Sequence, residues 1–148
     1  MRTIPAISKG TSRRGQSLLE FSLTLTVMIL LLAGIVDFGR AFFILVELRD
    51  AAQEGALYGS FNPTDAAGII ARVRTAAFTP VDLSDLNDPD ISVPAPIIHG
   101  GACEGGSIEV QVLYTFHVSM PFLTGIIGSQ TIPLRASVTD TILYPYCY

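Results

Sequence analysis

From Phe21 to Val36 the chain carries no charged residue, and the residue just before that run is Glu20. Counted from Gln16, about 20 residues have Glu20 as their only ionisable group, close to the minimum that spans a hydrocarbon core of about 30 Å as a helix. A carboxylate in such a segment costs roughly 2.5–3.5 kcal/mol on the mildest insertion scale, so Glu20 requires a reason for being there. Ser22, Thr24 and Thr26 require less of one, because their hydroxyls can return hydrogen bonds to the helix backbone.

Charge orients this segment. Residues 1–15 hold Arg2, Lys9, Arg13 and Arg14 and no acid, giving +4, while the whole chain is −4, so the remainder carries −8. Basic residues before an apolar run hold that end in the cytoplasm. The expectation is a single-pass membrane protein, N-terminus cytoplasmic and C-terminal part extracytoplasmic, with Arg13 and Arg14 setting the orientation. An acidic remainder lacks the Lys/Arg patch that displaces counterions from nucleic acid, so no nucleic-acid partner is expected. Only 15% of the 148 residues are charged, against about 25% in ordinary soluble proteins. That bias is concentrated in the first third and reflects an anchor in contact with lipid.

Residues 1–15 read as a disordered basic leader and 16–36 as a transmembrane helix. Beyond it Phe38, Ala41, Phe42, Leu45, Leu48, Ala52 and Ala56 recur at three- and four-residue steps, which predicts an amphipathic continuation of the same helix over 37–60. Glu47, Asp50 and Glu54 fall on the opposite side, and Asp37 and Arg40 are spaced to pair. Gly59 and Asn62-Pro63 provide a stop. Asn62 is then a good N-cap for a second helix with Pro63 in its first turn, Asp65 complementing its dipole and Ile69, Ile70 and Val73 on its buried face. After the acidic loop 82–90 the period changes to two. Short strands are expected at Ile91–Val93 and Ile97–Ile98, and a strong one at Ser107–Val118 with Ile108, Val110, Val112, Tyr114 and Phe116 on one face. Another is expected at Thr131–Leu143, after a loop exposing Phe122 and Leu123. Strands joined without intervening helices form antiparallel sheets, so residues 61–148 are expected to be an extracytoplasmic α+β domain.

Arg14-Gly15-Gln16-Ser17-Leu18-Leu19-Glu20-Phe21 resembles a type IV prepilin processing site, in which a basic leader ends in glycine and glutamate stands fifth in the mature chain. With Gly34-Ile35-Val36-Asp37-Phe38-Gly39-Arg40-Ala41-Phe42 and Asp50-Ala51-Ala52-Gln53-Glu54-Gly55-Ala56-Leu57-Tyr58, the likeness is to the TadE-like pseudopilins of tight-adherence (Tad, Flp) pilus systems. Val110 to Phe116, Pro121-Phe122 and Leu134 to Ser137 are similar to that family's strand pattern.

The resemblance implies a pilin-like fold: a long N-terminal helix, a second helix and a small antiparallel sheet. It implies cleavage between Gly15 and Gln16 by a membrane-embedded aspartic prepilin peptidase, with Glu20 and Phe21 read by the peptidase and by assembly. Phe21 stands where the family often has Tyr, and Gln16 where major pilins begin with an aromatic residue. The implied partners are the peptidase, other pilin and pseudopilin subunits, the Tad inner-membrane assembly platform and membrane lipid, and the implied role is pilus assembly for surface adhesion. Physically, a new α-amino group with a pKa near 8 is cationic at neutral pH. Glu20 of one subunit could pair with the amine of a staggered neighbour, each charge costly alone and tolerable together. The bland alternative leaves Glu20 among lipid headgroups.

Rival readings are weaker. Gln16 and Ser17 lack the apolar character that a twin-arginine signal shows after its arginines, and a secretory signal cut near Ala33-Gly34 would end inside an uninterrupted helical pattern. A signal-anchored ligand-binding domain that never polymerises is the alternative function. Cys103 and Cys147 lie in the translocated part, where a disulfide is expected. Asp82, Asp85, Asp88 and Asp90 are weak calcium candidates because their spacing misses the EF-hand loop. His99, Cys103 and His117 match no zinc or nucleophile pattern, so neither an enzyme nor a cofactor is expected.

Overall fold

The computed structural model describes residues 13–77, 79–120, 125 and 128–145; Cys147, Phe122, Leu123 and residues 1–12 of the leader lie outside them. The element order is α1 (Arg13–Phe61), α2 (Ala66–Ala76), β1 (Ile91–Ser92), β2 (Ile97–His99), β3 (Ser107–His117) and β4 (Thr131–Thr141). This is the expected α+β arrangement of a long apolar helix, a second helix and a small antiparallel sheet. The residues up to Val36 form one unit and Asp37–Tyr148 a second.

In the first unit α1 is a bare apolar rod. Leu18, Leu19, Phe21, Leu23, Ile29, Leu31 and Ile35 are all more than half exposed. The hydroxyls of Thr24 and Thr26 donate to the carbonyls of Glu20 and Ser22, each at 2.8 Å, so these polar groups are satisfied within the helix. By length and composition α1 can cross a membrane.

In the second unit the sheet is built on β3. β4 pairs with its whole length, Ser107 opposite Thr141 through His117 opposite Thr131. β1 and β2 share its other edge, Ile91 facing Tyr114 and Ile97 facing Glu109. All pairings are antiparallel. Alternation buries Ile108, Val110, Val112 and Phe116 on one face, and Ala136, Leu134 and Val138 of β4 join them. Residues 37–61 of α1 and Ile69 and Val73 of α2 complete this core.

The buried stripe of α1 differs from the expected one. Ile44, Leu48, Ala51, Ala52 and Ala56 are buried, whereas Phe38, Phe42 and Leu45 are exposed. The packing face combines Ile44 and Leu48 with small residues that allow close approach. A Cβ on Gly59 would stand 2.8 Å from Ile108 Cδ1 and 3.2 Å from Ile69 Cδ1, and one on Gly55 would run into Val73. Gly59 is therefore a packing residue, and α1 continues past it to Phe61.

The helix junction is corrected as well. Asn62 closes α1, its N–H and side-chain amide both donating to the carbonyl of Tyr58. Asp65 is the N-cap of α2, accepting from the Gly68 N–H at 2.9 Å. Its carboxylate lies below its usual pKa because of that bond and a second from the Tyr58 hydroxyl.

Candidate functional site

The expected processing segment opens α1. Arg13 and Arg14 form its first turn, and Gly15, Gln16, Glu20 and Phe21 follow, the last four all exposed. The Gln16 side-chain amide donates to Glu20 Oε1 at 3.3 Å, so the two residues share one face a turn apart. Among the described residues, setting aside its chain neighbours and the local helix backbone, nothing lies within 4 Å of where a Gly15 Cβ would stand. Among the described residues, no cation is paired with Glu20.

A different acid is buried. Asp37 accepts a hydrogen bond from the Met120 N–H at 3.1 Å and lies 3.8 Å from the Arg40 guanidinium, the pair expected from spacing. Arg40 donates to Ser119 Oγ at 2.5 Å and stacks over Phe116 at 5.9 Å. One turn of α1 therefore holds the end of β3 and the chain just after it. Sequence spacing suggested the local pair but gave no sign of Ser119 or Met120, which lie about 80 residues away.

Beside Arg40 is a cleft of about 370 Å³, lined by Phe43, Ile44, Glu47, Pro80, Tyr114, Phe116 and His117. His117 Nε2 is 2.9 Å from Asp90 Oδ2. Burial, with Asp88 and Asp90 nearby, raises the pKa of the Tyr114 hydroxyl. His99 is held apart, 3.0 Å from Glu109 Oε2. Glu109 also accepts from Ser137 and Gln111, and these bonds, with that from His99, pull its pKa down to about 2.

The acidic loop uses its aspartates locally. Asp82, Asp85 and Asp88 each accept, through one carboxylate oxygen, the backbone N–H two residues on, at 2.8–2.9 Å. Asp90 is taken by His117. Among the described residues no cluster of three or more His, Cys, Asp or Glu is placed to hold a metal ion. Cys103 is buried and disulfide-bonded.

The family model of TadE-like protein matches residues 15–57, all within α1 and less than a third of the chain. The match bears out the resemblance read from that stretch. No curated protein and no solved structure matches the chain.

Proposed function

Taking residues 15–57 as a TadE-like segment, we propose that the chain is a minor pilin or pseudopilin of a Tad/Flp-type system. In this reading a prepilin peptidase cuts between Gly15 and Gln16 while α1 is held in the membrane with its N-terminus cytoplasmic. The assembly platform then takes the mature subunit into a pilus used for surface adhesion, where it packs against other pilin and pseudopilin helices. The observation that supports this most is the exposure of Gly15, Gln16, Glu20 and Phe21 at the head of an apolar helix. Glu20 lies one turn from Gln16, so cleavage would create a cationic terminus on the same face as the acid. A staggered neighbour could then exchange charges with it.

Mass spectrometry of the mature N-terminus tests the proposal. A chain starting at Gln16 supports it, and one starting near Ile35 overturns it. Glu20→Ala should still be cleaved yet fail to assemble. The cleft beside Arg40 favours a second reading, an anchored extracytoplasmic domain that binds a ligand and never polymerises. For such a protein Glu20→Ala would change neither binding nor surface adhesion.

A further inference from the structure

The outer edge of β4 is closed at its ends and open in its middle. The Val118 N–H bonds the Gln130 carbonyl and the Ile142 N–H bonds the Gly106 carbonyl, at 3.0 and 2.9 Å. Both pairs share the register of the β3–β4 ladder. They fix its phase, so even-numbered residues of β4 bond β3 and odd-numbered ones turn their backbone groups to the free edge. Of the odd residues, Pro133 has no N–H. The Thr131 N–H is taken by Ser129 Oγ at 3.1 Å and the Thr141 N–H by Asp140 Oδ1 at 2.8 Å. Arg135, Ser137 and Thr139 remain, and their N–H groups have no partner among the described residues.

We propose that this window pairs with the same window of a second copy of the chain, antiparallel, with Ser137 on the two-fold axis. In that register Arg135 faces Thr139 of the other copy, Ser137 faces its equivalent, and each facing pair exchanges two hydrogen bonds. Pro133 then faces Thr141, so a missing donor meets a capped one. Sliding by two residues in either direction sets an open donor against a blocked position. The pattern of open and closed positions is its own complement about residue 137.

Charge agrees with the same register. Arg135 is exposed and makes no ion pair among the described residues. Glu109 is opposite Thr139 on β3, on the face that also carries Arg135. Its carboxylate leans toward β4, accepting from Ser137 Oγ at 2.6 Å. Across the new seam Arg135 of the second copy would lie beside Thr139, one further strand spacing of about 4.8 Å from Glu109. Its guanidinium can extend over Thr139 to that carboxylate, and symmetry makes the contact twice. A seam this short is far smaller than a free-standing interface of about 1,000 Å². It therefore depends on both copies being concentrated by anchoring in one membrane.

The test is oxidative cross-linking of the full chain in its native membrane, treated with copper phenanthroline beside the unmodified protein. Ser137→Cys should give a reducible dimer of the chain, since the facing Cα atoms of a bonded pair lie about 5.5 Å apart, within disulfide range. Gln111→Cys, one strand further in, should not. If loss of the Ser137 hydroxyl disturbs the fold, co-expressed Arg135→Cys and Thr139→Cys chains provide a second measure. They should cross-link together and neither should cross-link alone. Arg135→Glu and Glu109→Arg should each lower the Ser137→Cys dimer yield several-fold, and the two combined should restore it. A homodimer yield no higher than that of Gln111→Cys, an adduct with a different protein, or failure of the charge swap to restore pairing would each overturn the proposal. None of these outcomes depends on where the N-terminus is cut.

Discussion

Single carboxylates do unlike things in this chain because their surroundings differ. Asp65 satisfies an orphan N–H at the start of α2 and receives the Tyr58 hydroxyl. Asp65→Ala should lower the urea midpoint of unfolding, because the Gly68 N–H loses its cap. Glu109 has its folded pKa lowered to about 2 from an ordinary value of 4.5. A depressed folded value means that its contribution is present above the unfolded pKa and is lost as acid protonates the folded form. Stability should therefore fall between about pH 4.5 and 2. In Glu109→Gln that part of the acid limb should flatten, as followed by thermal melts across pH. Glu20, by contrast, is exposed and accepts from the Gln16 side-chain amide one turn away.

At the scale of elements, hydrophobic alternation made β3 and β4 legible, because a period of two leaves little freedom about which face is buried. The TadE-like stretch was legible from the order of arginine, glycine and glutamate together with the runs Gly34 to Phe42 and Asp50 to Tyr58. The face of α1 was not, because its apolar residues surround most of the helix between Phe38 and Val46 and periodicity alone cannot choose among them. Steric access decided it: Gly55, Gly59 and the alanines let α2 and β3 approach. The contrast is measurable. Leu48→Ala, fully buried, should cost about 2–5 kcal/mol. Phe42→Ala, 55% exposed, should change stability by no more than about 0.5 kcal/mol in the same denaturation assay. Likewise, the clasp of Asp37 and Arg40 on Ser119 and Met120 joins residues distant in sequence, and no local pattern announces such a contact.

For the molecule as a whole, the sequence has only two cysteines, and Cys103 is disulfide-bonded. Titration of the denatured, unreduced protein should accordingly find no free thiol. The outward face of α1 past Val36 has a further practical meaning. Phe38, Phe42, Phe43 and Val46 are all 42–74% exposed, and an apolar patch of this kind promotes clumping in water. Cutting the chain at Asp37 to remove its greasy rod would leave these side chains in place. Such a fragment should elute from a sizing column as polydisperse aggregates. Exchanging the three phenylalanines for glutamine should yield a well-behaved soluble species, because none of the three belongs to the core that holds the sheet.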